Sequence, residues 1–375
     1  MKNNRRDFLK MVAAGIAANA LESRFSYLDT RYETRHPFNE SRAFNRVEGS
    51  AAQTVLPRWR GFNLLDMFTM RSKGDFPEEE FRWIRDFGFD FIRLPMCYRL
   101  WIENSDDYKI NEPMLQKLDH AVELCGKYGL HVDLNFHRGP GYSVNREFTE
   151  PLSLWKDQKA LDAFCFHWQM LAKRYRGIAE DKLSFNLLNE PPSEGERMSR
   201  ADHERVVRAA VAAIRQVSPD RIIIADGLSW AREPLPELAD LGIAQSCRAY
   251  EPMFISHYKA SWVNSKDYPE PAWPGHGWDR KRLEEYYQKW ADLAKKGIGV
   301  HCGEGGTFNK TPHNVVLAWL RDVLEILTGH GIGLALWNFR GSFGIIDSDR
   351  TDVAYEDFHG HKLDRKLLEL LQEFK

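Results

Sequence analysis

The residues of this chain best suited to chemistry are two glutamates, each closing a short apolar run. Glu190 ends Phe185-Asn186-Leu187-Leu188-Asn189-Glu190, and Pro191-Pro192 then stops the strand. Glu304 ends Gly299-Val300-His301-Cys302-Gly303-Glu304, with glycines on both sides that let backbone and ligand approach closely. Two facing carboxylates can cleave a glycosidic bond. One protonates the departing oxygen while the other attacks the anomeric carbon. A separation of about 5–5.5 Å gives retention through a covalent intermediate, and a wider gap admits water and gives inversion. Close carboxylates also push their proton affinities apart, which keeps one protonated near neutral pH. Either glutamate alone reads equally well as a strand-end acid without a chemical role. Both together, in these two frames, do not.

Such a pair needs a scaffold that brings distant strand ends together. From Arg60 onward, short β-rich runs alternate with longer amphipathic stretches. The strand candidates are 60–65, 89–95, 131–136, 183–188, 221–225, 243–250, 298–302 and 332–337. Helices are expected over 77–87, 111–128, 157–175, 201–217, 279–296 and 312–328, with a short weak one near 233–241 and a last one over 362–374. Strands alternating with helices pair in parallel through right-handed crossovers. The fold class is therefore α/β, and eight units predict a closed (β/α)8 TIM barrel in one domain, whose catalytic groups sit where strands end. An open doubly wound sheet would want a glycine-rich phosphate turn after the first strand, where this chain has Asp66-Met67-Phe68.

The 375 residues are 43% hydrophobic and 28% charged, an ordinary globular balance that suffices for one large barrel. A formal net charge of −2 gives no electrostatic case for nucleic acid. The 12 Trp, 13 Tyr and 22 Phe suit a ligand with flat C–H faces, such as an oligo- or polysaccharide, although large barrels also bury many aromatics. The loop tryptophans Trp262, Trp273 and Trp278 are candidates for such contacts, and the run 269–278, rich in Pro, Gly and Trp, is expected to form a long ordered loop over the cleft. The five cysteines form no Cys-x-x-Cys pair, so buried free thiols are expected rather than a zinc ribbon or disulfide framework. No cofactor and no metal site are expected, and the chain is expected to act as a monomer.

The N-terminus reads as an address. Asn4-Arg5-Arg6-Asp7-Phe8-Leu9-Lys10 has the form of a twin-arginine signal, and the weakly apolar stretch after it ends in Ala18-Asn19-Ala20, a cleavage-site pattern. The expected organisation is a signal peptide over 1–20, a polar linker over 21–54 and a catalytic domain over 55–375. Export to the periplasm or medium follows, without stable membrane insertion, because the apolar stretch is too short to span a bilayer.

With these marks the chain resembles glycoside hydrolase family 5, the cellulase-type retaining β-glycosidases, over nearly all of residues 59–374. Its most specific marks are Leu188-Asn189-Glu190-Pro191 and Gly303-Glu304-Gly305, with a family-like opening in Arg60-Gly61-Phe62-Asn63-Leu64. The resemblance implies Glu190 as acid/base and Glu304 as nucleophile. It implies that Asn189 hydrogen-bonds the sugar 2-OH, Arg93 steadies the nucleophile, His137 lines the subsite at the scissile bond and Trp337 forms a hydrophobic platform there. On strand six the family usually has His-x-Tyr-x-Pro, whereas this chain has Arg248-Ala249-Tyr250-Glu251-Pro252. Tyr250 is kept and would contact the nucleophile. Arg248 stands where the histidine is expected and unsettles substrate preference more than reaction class. His257 on the following loop is a further candidate for substrate contact.

The substrate implied is a β-linked glucan cleaved by double displacement. Mannan, xyloglucan, β-1,3-glucan and exo-acting β-glucosidase or furanosidase specificities remain open within the same family. A metal-dependent barrel hydrolase is the rival reading, since His137, His257, His301 and Cys302 fall near strand ends. It lacks the His-x-His pair on strand one. A non-catalytic sugar-binding barrel is disfavoured by the presence of both glutamates.

Overall fold

The computed structural model describes residues 55–145 and 147–374. The twin-arginine segment and the polar stretch lie outside them. All eight expected strands form: β1 Gly61–Asn63, β2 Phe91–Cys97, β3 His131–Gly139, β4 Leu183–Asn186, β5 Ile222–Asp226, β6 Ala244–Ala249, β7 Val300–Gly305 and β8 Gly333–Leu336. Every neighbouring pair from β1 to β8 is parallel, and β8 pairs back onto β1, so the sheet closes into a barrel. Closure explains why β2 and β3 are buried at every position. One face looks into the barrel and the other is covered by helices, so the strands read as near-continuous apolar runs.

The helices begin and end where local chemistry dictates. Helix α1, Glu78–Asp86, opens on three glutamates, which favour the positive end of the helix dipole. In α2, Glu112–Tyr128, the Asn111 side chain accepts from Met114 N, and Gly129 closes the helix at φ 65°. Helix α3 is Gln158–Arg174. Helix α4, Arg200–Arg215, starts with a reciprocal Ser199/Asp202 capping box. Helix α5, Arg280–Lys295, packs on β7, and helix α6, His313–Gly329, packs on β8. The weak fifth helix is a 3₁₀ segment, Pro236–Leu241. The last helix, α7, starts three residues later than the pattern suggested, at Arg365. Asp364 caps it by accepting from Leu367 N at 3.1 Å, and His361–Leu363 instead pair with Glu356–Phe358 as a hairpin.

Two layers inside the barrel matter for the site. The N-terminal floor is sealed by rings: Trp59 stacks on His131 at 3.7 Å, with Phe91 and His301 packed against them. This corrects one expectation, because His301 lies on the floor and not near the mouth, and Cys302 next to it is buried. Above the floor, register aligns Asn63, Arg93, Asp133 and Ser184 across β1 to β4 as a buried polar layer. All five cysteines are free and buried. Among the described residues, no helix is long and apolar enough to cross a membrane.

Candidate active site

The two glutamates sit where β4 and β7 open onto the C-terminal mouth. Glu190 adopts φ 49°, in the left-handed region that costs a non-glycine residue roughly 1–3 kcal/mol. Its backbone is held on both sides: the N–H donates to Asp226 Oδ2 at 3.0 Å, and its carbonyl accepts from Tyr142 Oη at 2.6 Å. Tyr142 comes from a short strand that folds back antiparallel on the end of β3. On β7 the register slips between Cys302 and Glu304, which turns the glutamate inward. A side chain at Gly303 could not fit there. Its Cβ would lie 2.8 Å from Ser246 Oγ, 3.5 Å from Arg248 Nη1 and 3.6 Å from Arg93 Nε. The missing side chain leaves room for two guanidiniums beside the carboxylates.

Arg93 is fully buried, and its donors are spread over four acceptors. Nε donates to Asn186 Oδ1 at 2.9 Å, and Nη2 to Asn189 Oδ1 at 2.8 Å. Nη1 reaches Asn63 Oδ1 at 2.9 Å and Glu304 Oε1 at 2.7 Å. Arg248 spans the rest of the centre. Its Nε donates to Glu190 Oε1 at 2.9 Å, and its Nη2 reaches Asn189 Oδ1 at 2.9 Å, Asp226 Oδ2, and Glu304 Oε1 at 3.3 Å. One guanidinium thus touches both glutamates. Tyr250 Oη donates to the other oxygen of Glu304, Oε2, at 3.0 Å. Two guanidinium donors converge on Asn189 Oδ1 and fix the amide orientation. That leaves the buried Asn189 Nδ2 with no hydrogen-bond partner among the described residues. A buried donor without a partner costs free energy, and a ligand acceptor would relieve it.

The electrostatics separate the two glutamates. Burial and the negative charge of Glu304 push the Glu190 carboxyl up to about 7, against the pull of Arg248. Glu190 can therefore hold a proton near neutral pH. Burial holds His137 far below the usual histidine range, helped by the charges of Arg93 and Arg248, so its ring is neutral. Burial likewise pushes His257 down to about 4.

Rings form the rim. Phe68, just past β1, packs edge-on against His137 at 4.5 Å and Trp337 at 5.1 Å. His137 Nδ1 is buried without a partner among the described residues, and Trp337 is half-buried. His257 touches neither glutamate. It packs on the Tyr250 ring at 5.0 Å and on Trp262 at 6.1 Å, and Trp262 is 55% exposed. Trp273 and Trp278 do not overhang the mouth. Trp273 Nε1 donates to Asp322 on α6, and Trp278 packs on Tyr286 of α5 and under Arg282. The loop at 269–278 is thus pinned to the outer helices, which corrects its expected position over the cleft.

The mouth thus unites Glu190, Glu304, Arg93, Asn189, Arg248 and Tyr250, with His137 and Trp337 beside them. Three groups were not foreseen. Asp226 ends β5 as a strand-end carboxylate, by the same criterion that singled out the glutamates. Tyr142 follows a glycine-rich turn and carries no distinctive signal. Trp230 is 42% exposed in a turn whose residues Ser229, Trp230 and Ala231 all have φ near +60°, without a glycine to announce it. Trp230 N donates to Pro191 O at 2.9 Å, which ties this ring to the segment just after Glu190.

Removing Arg93 tests how tightly the centre is tied together. Arg93→Met strips a donor from Glu304 and from Asn63, Asn186 and Asn189, of which only Glu304 and Asn189 keep Arg248. Breaking a buried ion pair from one side costs about 3–5 kcal/mol. Urea unfolding of the variant is expected to show a loss of that size. A loss under about 1 kcal/mol, the range of an exposed pair, would contradict the geometry.

Residues 50–342 match the family described as cellulase, glycosyl hydrolase family 5. Cellodextrinase A of Ruminococcus flavefaciens is 29% identical over 272 residues, covering 68% of this chain and 76% of that protein. Endoglucanase C of Acetivibrio thermocellus is 28% identical over 311 residues, covering 74% and 88%. A crystal structure of a glycoside hydrolase superposes with a TM-score of 0.81 at 40% identity, covering 85% of this chain and 99% of that one.

Proposed function

The chain belongs to glycosyl hydrolase family 5, and from that premise we propose that Glu190 and Glu304 carry out a double displacement on a β-1,4-linked glucan. It is a glycoside hydrolase of the retaining class. In the first step Glu304 attacks the anomeric carbon, the glycosidic C–O bond breaks, and Glu190 delivers its proton to the leaving oxygen. In the second step Glu190 takes a proton from water, the water oxygen attacks the same carbon, and the Glu304 carboxylate leaves. The observation that carries this reading is one guanidinium, Arg248, touching both glutamates, while burial and the charge of Glu304 keep Glu190 partly protonated near pH 7.

The other groups take roles their contacts support. Arg93 and Tyr250 hold opposite oxygens of Glu304 and aim it. Asn189 Nδ2, its amide fixed from behind, donates to the sugar 2-OH. His137 lines the subsite at the scissile bond as a neutral ring. Trp337 stacks on the sugar there, and the exposed rings of Trp230 and Trp262 extend the platform beyond it. The relatives named as cellodextrinase and endoglucanase support a β-1,4-glucan as substrate. Arg5-Arg6 and Ala18-Asn19-Ala20 support export through the twin-arginine route, with 1–20 removed and 21–54 as linker.

Proton NMR of products from a β-1,4-gluco-oligosaccharide tests the reading. The β anomer is expected to appear first and mutarotate afterwards. First appearance of the α anomer would show inversion and overturn it. Faster turnover of mannan, xyloglucan or β-1,3-glucan in the same assay would reassign the substrate and leave the reaction intact.

A further inference from the structure

Double displacement uses the glutamates but gives no task to Asp226 on β5 or Arg248 on β6. Both are buried, and they pair with each other through Arg248 Nη2 and Asp226 Oδ2. Asp226 is anchored by Asn186 Nδ2 at 2.9 Å and itself receives the Glu190 N–H at 3.0 Å. Arg248 is anchored below by Ser246 Oγ at 3.0 Å and the Cys247 carbonyl at 3.1 Å. The pair grips Glu190 at both ends: Asp226 holds its backbone, and Arg248 holds Oε1 of its side chain.

We infer that Asp226 and Arg248 act as one positioning unit that leaves Glu190 Oε2 as the only oxygen able to carry the transferred proton and keeps the centre neutral through both steps. This rests on the double-displacement reading. Arg248 Nε occupies Oε1, so the proton sits on Oε2, delivers from there to the leaving oxygen, and returns there from water. The charges follow the same logic. Three carboxylates, Glu190, Glu304 and Asp226, meet two guanidiniums, Arg93 and Arg248. With Glu190 protonated, the charges cancel. Once Glu304 is an ester and Glu190 has given up its proton, they cancel again. Without Asp226 both states carry surplus positive charge, and without Arg248 both carry surplus negative charge.

Among the described residues, the other charged and titratable groups around Glu190 are engaged elsewhere. Arg93 from β2 and Tyr250 just past β6 are engaged with Glu304, and Tyr142 is engaged with the Glu190 carbonyl. Arg232, after β5, is paired with Glu251 at 2.6 Å. His137 of β3 is neutral, and Asp133, level with Arg93 in the polar layer, accepts from Ser184 Oγ at 2.7 Å and is pushed up to about 6 by burial; it contacts neither glutamate and is common to all the variants compared.

The test is the pH profile of kcat/KM for Asp226→Asn, Arg248→Gln and the double variant, measured on the full chain. The upper limb reports loss of the Glu190 proton. Asp226→Asn removes a negative charge, so Glu190 gives up its proton more readily and the limb moves down by about one pH unit. Arg248→Gln removes a positive charge and moves it up by a similar amount. The double variant returns it close to wild type, although turnover stays low. Limbs that stay in place in both single variants, or that move in the same direction, overturn the inference. If either variant does not fold, Arg248→Lys carries the test. It keeps the charge and loses the planar fork, so the limb stays while kcat falls at least tenfold. Wild-type kcat in Arg248→Lys refutes the unit. Azide rescue of Glu190→Ala is measured alongside. Rescue with unmoved limbs sinks this inference alone, whereas absent rescue sinks the assignment of Glu190 itself.

Discussion

Glu304→Gln is expected to remove turnover of any β-glucoside, by on the order of 10⁴–10⁶-fold in kcat, as loss of a nucleophile does in other enzymes with covalent intermediates. The amide is close in shape to the carboxylate, and Tyr250 and the two arginines can still surround it. What it lacks is the charge that attacks the anomeric carbon. The cleft keeps its shape, so substrate binding should persist within a few-fold of wild type in a titration with cello-oligosaccharide, although loss of the buried ion pair with Arg93 lowers stability. A variant that binds and does not turn over separates chemistry from folding. Appreciable activity in Glu304→Gln would mean that the nucleophile is another group.

Glu190→Ala is expected to show the second-largest effect, and one that depends on the substrate. A general acid contributes typically about 10²–10⁴-fold, so a natural glucan with a poor leaving group loses activity on that scale. A dinitrophenyl glycoside needs no proton on its leaving oxygen, so its first step stays fast. The glycosyl-enzyme then accumulates, since no base activates water. Azide, a nucleophile that needs no base, restores turnover and yields a β-glycosyl azide. An equal loss on both substrates without rescue would contradict the acid/base role. Glu190→Ala keeps the Asp226 and Tyr142 contacts to its backbone but leaves Arg248 Nε without its carboxylate partner, so some loss of stability accompanies the kinetic effect.

The barrel was legible because closure buries the strands on both faces, which stamps short runs rich in apolar and small residues into the chain, alternating with helical patterns. Helix ends were legible where a cap residue announces them, as Asn111 and Gly129 do. They were misjudged where tertiary pairing overrides pattern, as at His361–Leu363. The two glutamates, Arg93, Asn189 and Tyr250 were legible as a motif set, and the mouth unites them. The reach of Arg248 was not, because it depends on the bulge after Cys302 and on the room left by Gly303, neither of which local pattern encodes. Tryptophans give no direction by type alone. Trp273 and Trp278 were expected over the cleft and instead anchor a loop to α5 and α6. Trp230 carries the opposite lesson: a left-handed turn without glycine presents it openly, beside the segment that follows Glu190.

The most direct test of the central claim is covalent trapping with a 2-deoxy-2-fluoro β-cellobioside bearing a good leaving group. The fluorine slows both steps, and the leaving group spares the first, so the intermediate survives digestion and mass spectrometry. The account predicts one adduct per chain, on the peptide containing Gly303-Glu304-Gly305, with fragment ions placing the sugar on Glu304. An adduct on any other residue, or time-dependent turnover of the probe with no adduct at all, would contradict it.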